Sequence, residues 1–253
     1  MGKRVIFCDW DAAPHLTPEM KAKELAQMHP SLRDARSRGI PFLGAGSIYP
    51  VPIESIEESP FTIPDHWPRA YGLDVGWNRT AAIWGAHDKD SDIVHLYDEH
   101  YAAEETPAVH AAAIQGHGAF GNNRAKWIPG VIDPAAKGRS QADGKKLVQV
   151  YRGLGLDELG FADNAVQAGI DAVWIRLSTG RLKVFSNLRN FFKEYLLYRF
   201  DKDGKVVKKN DHLMDAMRYL ILSGITKMVA VPAVERTTVG RYSQSSQNSW
   251  MGV

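Results

Sequence analysis

Between Arg69 and Tyr101 the chain changes pattern three times with no room for a helix. AYGLDV, AAIWGAH and IVHLYDEHY read as short strands; the turn GWNRT joins the first two, and DKDSD leads to the third. The next segment narrows the class. Thr106-Pro107 opens an alanine-rich helix, and only then does KWIPGVID supply a further buried strand, ending at Asp133-Pro134. An antiparallel meander followed by a strand reached through a helix makes a mixed α/β domain.

Later segments continue the alternation. DGKKLVQVYRGL reads as a helix, and NAVQAGIDAVWIRLSTG spaces Val166, Ile170, Val173 and Leu177 at helical intervals before Gly180. LKVF is a short strand and NLRNFFKEYLLY a helix. YRFDKDGKVVKK is a hairpin turning at Asp203-Gly204, and DHLMDAMRYLILSGITKM an amphipathic helix. Upstream, Thr17-Pro18-Glu19 starts a helix that Gly39 stops. The proline-rich stretch PFLGAGSIYPVPIESIEESPFTIPDHWP reads as a linker or extended arm. The Ser/Gln-rich tail from about Val231 reads as flexible. We see no internal repeat.

Composition removes several classes. A chain of 253 residues with 44% hydrophobic and 24% charged residues can bury a core. The single cysteine, Cys8, excludes a disulfide framework and a cysteine-based zinc site. No apolar run has membrane-spanning length, and MGKRVIFCDWDAA is broken by Asp9 and Asp11, unlike a secretory signal. We therefore expect an intracellular soluble protein. Charge is segregated: twelve acids face three bases from Val51 to Gly118, whereas ten bases face three acids from Arg176 to Lys209. That pattern suits a phosphate-binding face beside an acidic one, and equally a set of solvated helix faces.

The acids define the candidate chemistry. Asp74 lies inside an apolar strand, Asp133 ends another, and Asp211, His212 and Asp215 share neighbouring turns of the last helix. Carboxylates that converge repel one another, and a bound hard cation relieves the repulsion. Two divalent ions about 4 Å apart activate a water and stabilise a leaving oxygen in phosphodiester cleavage. Each residue also has a plainer reading. Asp211 caps the helix, Asp133 forms a turn before proline, and Asp74 pairs with Arg79. GRSQADGKK imitates a phosphate loop but has the wrong glycine spacing, and Lys146 stands where Ser or Thr must follow the lysine. His110 and His117, seven apart on an alanine-rich helix, read as surface or packing residues.

Taken together, GLDVGWNRTAA, VIDPAAKGRS and NDHLMDAMRYL resemble the nuclease domain of the large terminase subunit of tailed bacteriophages. Asp-His-x-x-Asp-Ala-x-Arg-Tyr, here Asp211 to Tyr219, is the most specific element. The resemblance covers roughly Gly39 to Met228 and implies an RNase H-like (retroviral-integrase-like) mixed central β-sheet flanked by helices. It implies three regions: 1–59 as a connector from an ATPase region, 60–230 as the nuclease domain and 231–253 as a flexible tail. The function it implies is a metal-dependent endonuclease that cuts concatemeric double-stranded viral DNA during genome packaging. Asp74, Asp133 and Asp215 match the acidic triad for two Mg2+ or Mn2+ ions, with Asp211 and His212 beside them.

DNA contacts are expected from Lys137, Arg139, Lys145, Lys146, Lys202, Lys205, Lys208 and Lys209. All would be phosphate contacts, giving weak sequence preference and steep salt dependence. The resemblance further implies the portal protein, the small terminase subunit and the ATPase motor as partners, no membrane, and a place in the host cytoplasm. Three alternatives stay open. One is a non-catalytic DNA- or portal-docking module, and another a junction resolvase or transposase of the same fold. The third is an actin-like kinase, for which a second Asp-Gly hairpin and an adenosine loop are missing.

Overall fold

A computed structural model of the chain describes Trp10 and residues 15–27, 37, 46–117, 127–138, 146–201 and 203–231. The first helix, α1 (Pro18–Gln27), starts as its sequence predicts, with the Thr17 hydroxyl accepting the Met20 N–H at 3.3 Å. Gly39, the imitation phosphate loop except its ends, and the tail beyond Val231 lie outside the described residues.

The sheet is the frame for everything else. Its strands are β1 (Glu57–Glu58), β2 (Arg69–Asp74), β3 (Thr80–Asp88), β4 (Ile93–Ala102), β5 (Gly130–Ile132), β6 (Leu159–Phe161) and β7 (Leu182–Phe185). The order across the sheet is β1-β7-β4-β3-β2-β5-β6. β2, β3 and β4 form the expected antiparallel meander, and β5 joins β2 in parallel after α3 (Pro107–His117). β6 extends that side, while β7 and β1 run parallel on the other side of β4. The fold is a mixed RNase H-like sheet flanked by helices.

Two short strands escaped the sequence reading. β6 has three residues and β1 two, too few for an alternation to register. Of the two readings of the proline-rich stretch, linker or extended arm, β1 fits the arm. A one-turn helix, α2 (Ile53–Ile56), precedes it, and Ile48, Tyr49, Ile56 and Ile63 are buried in the core. The proline-rich segment runs along the domain, with the Ile48 N–H donating to the Tyr198 carbonyl and the Ser186 N–H to the Glu58 carbonyl. Its prolines prevent long elements; its isoleucines still bury apolar area.

Alternation along β2 sorts its side chains. Tyr71 and Leu73 face one layer, with Trp84, Ala111, Ile114 and Tyr151. Ala70, Gly72 and Asp74 take the other face, under α7 (His212–Tyr219), beside α5 (Val166–Ser178) and α6 (Arg189–Leu197). Gly72 has a structural reason: a Cβ there would lie 2.0 Å from the Ala216 carbonyl oxygen. Glycine lets the helix rest directly on the strand.

Helices α6 and α7 are capped from outside their own sequence. Glu99 of β4 accepts the backbone N–H groups of Asn190 and Phe191 at 2.9 and 2.8 Å. Glu194 of α6 accepts the Leu213 N–H at 2.6 Å and the Tyr101 hydroxyl at 2.6 Å. Each carboxylate reaches the N-terminus of the helix it caps, where it satisfies orphan donors.

On the opposite face His100 is buried against His110, their Nε2 and Nδ1 atoms 3.0 Å apart, and His117 bonds Asp98 at 2.9 Å. His110 is thus the packing residue its sequence suggested. Burial, helped by His110 and His117, lowers His100 to about 4. The unfolded chain then takes up a proton that the folded chain refuses. Stability contributed here is complete above about pH 6.5 and falls as pH drops toward 4, by about 3 kcal/mol over that window. Urea unfolding at pH 7 and pH 5 measures this, and His100→Gln is expected to flatten the difference.

Candidate active site

β2 and β5 are parallel neighbours with Leu73 opposite Ile132, so Asp74 and Asp133 emerge side by side at one end of the sheet. The Asp133 N–H donates to the Leu73 carbonyl at 3.1 Å, which extends the ladder to the acid itself. The N-terminus of α7 crosses above this end and supplies the rest.

Asp74 is mostly buried, and its Oδ2 lies 2.9 Å from Nδ1 of His212. Burial pushes the Asp74 carboxyl above its ordinary range; the His212 hydrogen bond opposes this, and the charges of Asp215 and Asp133 add to it. His212 is raised in turn, chiefly by that hydrogen bond. The Tyr219 hydroxyl is pushed up by burial and then by Asp133, Asp215 and Asp74. Asp74 and Tyr219 therefore both feel Asp133 and Asp215.

Each acid has an internal partner. Asp133 Oδ1 accepts the Ala135 N–H at 2.9 Å and caps the short 3-10 turn Pro134–Lys137, so its turn-forming reading holds. Asp215 is buried, with Oδ1 2.9 Å from Arg218 Nη2 and Oδ2 2.9 Å from Lys208 Nζ. Asp211 stands at the N-cap position of α7, but its side chain makes no capping bond. Its Oδ2 lies 3.2 Å from Lys208 Nζ instead, and Glu194 does the capping. The Asp74–Arg79 pair is also absent: Arg79 sits 4.5 Å over the Tyr101 ring.

The donor set is all hard oxygen apart from His212, which fits Mg2+ or Mn2+ rather than a soft metal. As the side chains stand, no group of three or more His, Cys, Asp or Glu among the described residues closes into a metal-holding cluster. The acids have other partners. Lys208 bridges Asp211 and Asp215 with an ammonium, Arg218 takes the other oxygen of Asp215, and His212 takes Asp74. Burial works against the Lys208 charge, yet Asp215 and Asp211 outweigh it and raise its pKa.

The basic residues divide. Lys208 reaches the acids because the hairpin, closed by a Phe200–Val206 bridge and two N–H donations to Asp201 Oδ1, leads straight into α7 through Asn210. Asn210 takes a left-handed φ of 54°, a conformation asparagine tolerates better than most residues. Lys205 and Lys209 are exposed on that hairpin. Lys137 is exposed, its Nζ 4.7 Å over the Phe161 ring, and Lys146 opens α4 (Leu147–Gly153). Arg139, Lys145 and Lys202 lie outside the described residues. Sequence reasoning missed Arg218 and Glu194 as supports of the site. Arg218 carried a signal, lying three residues after Asp215 on one helix face; Glu194 carried none, reading as a surface acid.

A mixed RNase H-like sheet with carboxylates gathered at the ends of β2 and β5 and on a crossing helix defines the class. No protein-family model matches the sequence. The chain is 35% identical over 216 residues to the large terminase subunits of Enterobacteria phage LP7 and Salmonella phage P22. The match takes in 82% of this chain but 44% and 42% of theirs, so the chain spans less than half the length of those relatives. Among solved structures, the P22 large terminase nuclease domain is similar with a TM-score of 0.65 at 30% identity, covering 74% of this chain and 96% of that one. The large terminase of a thermophilic bacteriophage shares the fold, with a TM-score of 0.61 at 19% identity over 86% of this chain and 55% of that one. The chain belongs to the large terminase family and corresponds to its nuclease domain. No helix among the described residues is long and apolar enough to cross a membrane.

Proposed function

We propose that this domain, with its body at 60–230, is a divalent-metal-dependent endonuclease that cuts concatemeric double-stranded viral DNA during packaging in the host cytoplasm. The observation that supports the reading is that Asp74 and Asp133 end adjacent parallel strands at one end of the sheet, with His212 at the start of α7, the helix that carries Asp215, 2.9 Å from Asp74. Portal, small subunit and ATPase motor are the partners we propose from the family. The long reach of lysine at Lys137, Lys146, Lys205 and Lys209 suits phosphate contacts with little base readout.

Asp74, Asp133 and Asp215 would hold Mg2+ or Mn2+, two ions in our reading, with Asp211 alongside. Bound there, the metal would activate water and stabilise charge on the scissile phosphate. The chain's own residues do the positioning. His212 orients Asp74, Arg218 fixes one oxygen of Asp215, and Glu194 ties the start of α7 to α6. Lys208 keeps Asp211 and Asp215 from repelling one another until it yields its place.

Digestion of supercoiled plasmid tests the reading, with magnesium, manganese or EDTA and with Asp74→Ala and Asp133→Ala beside the wild type. The expected result is metal-dependent nicking and linearisation, reduced about 10^2- to 10^3-fold in each variant, as for loss of a preorganised charge-stabilising group. Asp74→Ala is expected to fold, because it removes a buried carboxylate that burial already penalises. A well-folded wild type that cuts under no metal would instead support the docking-module reading. Lys208→Met addresses the metal directly: isothermal titration with Mn2+ is expected to give several-fold tighter binding, since the ion no longer competes with an ammonium. Unchanged affinity would mean that Lys208 does not occupy the metal's place.

A further inference from the structure

The turn between β2 and β3 carries an indole that the proposed chemistry leaves unused. Trp77 is 71% exposed, three residues beyond Asp74, although a tryptophan ring has more apolar area to bury than almost any other side chain. Its turn is nonetheless held on two sides. The Thr80 hydroxyl donates to the Gly76 carbonyl at 3.1 Å, and the Glu104 N–H donates to the Trp77 carbonyl at 3.1 Å. Glu104 makes that bond from a left-handed φ of 55°, a strained backbone for glutamate. The fold thus spends strain on fixing a turn whose ring stays in water.

Position and charge narrow what the ring meets. β2 and β5 run parallel, so this turn and the segment following Asp133 leave the same end of the sheet, where the acids gather. Glu104 and Glu105 are exposed beside the turn, and Arg79 is engaged with the Tyr101 ring. Such surroundings repel phosphate, whereas the uncharged face of a nucleobase suffers no such repulsion. We propose that Trp77 is a stacking platform for a nucleobase splayed out of the duplex at the scissile step, a contact that rests on the nuclease reading above. A paired base offers no free face, so the platform favours distorted or frayed DNA over intact duplex.

Fluorescence anisotropy in EDTA tests this without cleavage. Wild type, Trp77→Ala and Trp77→Phe are titrated with a labelled duplex carrying a short mismatch bubble and with a fully paired duplex of equal length, at several salt concentrations. Trp77→Ala is expected to lose about 5- to 100-fold in affinity for the bubble duplex, the range for removing one base–aromatic stack. Trp77→Phe is expected to retain most of it, and the paired duplex to bind all three alike. The slope of log affinity against log salt is expected to stay unchanged, because no phosphate contact is lost. Equal losses on both duplexes, a reduced salt slope, or no loss at all would overturn the platform. A wild type that cuts plasmid in magnesium or manganese, with Trp77→Ala binding the bubble duplex equally well, sinks Trp77 alone; a wild type that cuts under no metal takes the nuclease reading with it.

Discussion

Gly72→Ala is expected to be among the most damaging single-methyl changes in the domain. The new Cβ would meet the Ala216 carbonyl oxygen at 2.0 Å and the Leu220 nitrogen at 3.1 Å. Those are backbone atoms of a helix, so no side chain can swing aside. Overpacking of this kind costs about 1–3 kcal/mol where side chains can adjust, and about 3 kcal/mol or more is expected here. The contact also sits between Asp74 on β2 and Asp215 on α7. Whatever shift relieves the clash therefore parts the acids, and Mn2+ binding should weaken in the fraction that still folds. Gly116→Ala is the control: nothing lies within 4 Å of its Cβ, and removing a helical glycine should stabilise by about 0.5–1 kcal/mol. Urea unfolding of the two variants should move in opposite directions. A Gly72→Ala midpoint equal to wild type would contradict the close approach of strand and helix.

Arg218→Met should rank beside it. Arg218 is buried, with its Nη2 2.9 Å from Asp215. Its stem passes close over α5, where a Cβ on Gly169 would lie 2.2 Å from Arg218 Cγ. Removing one member of a buried ion pair leaves the other charge uncompensated, typically at about 3–5 kcal/mol. Lys208 still neutralises the second oxygen of Asp215, so the lower end of that range is expected. The double variant Arg218→Met with Asp215→Leu should recover much of the loss, since an apolar pair of similar volume needs no desolvated charge. Denaturant unfolding of both singles and the double closes the cycle. Strict additivity would mean that the two groups are not coupled. In the protein the pair is retained at a cost that the metal-binding role of Asp215 would explain.

Much of the sheet was legible in the chain. Strands of six to ten residues announced themselves by alternation and bounding turns, and the helix before β5 marked the domain as mixed α/β. The acids were legible too, because a carboxylate in YGLDV or at the end of GVID interrupts an apolar run. β1 and β6 were not, since two or three residues carry too little pattern to outweigh neighbouring prolines and glycines, whereas the equally short β5 was legible from its longer apolar run. For the same reason β1 reads, in sequence, as part of a linker.

Local pattern along the chain set the order of the major strands and helices, the mixed class of the domain, and which carboxylates had to be explained. Those properties depend on local periodicity and on the cost of burying charge, both of which a chain carries residue by residue. Only the tertiary structure decided how the carboxylates are occupied. Glu194 rather than Asp211 caps α7, and Lys208, although largely exposed, bridges two acids. His212 rather than Arg79 meets Asp74. These pairings join residues up to 138 positions apart, or turn on where a hairpin delivers one ammonium. The His212–Asp74 pairing spans the strand and helix that Gly72 lets come together, a distance that no local pattern encodes.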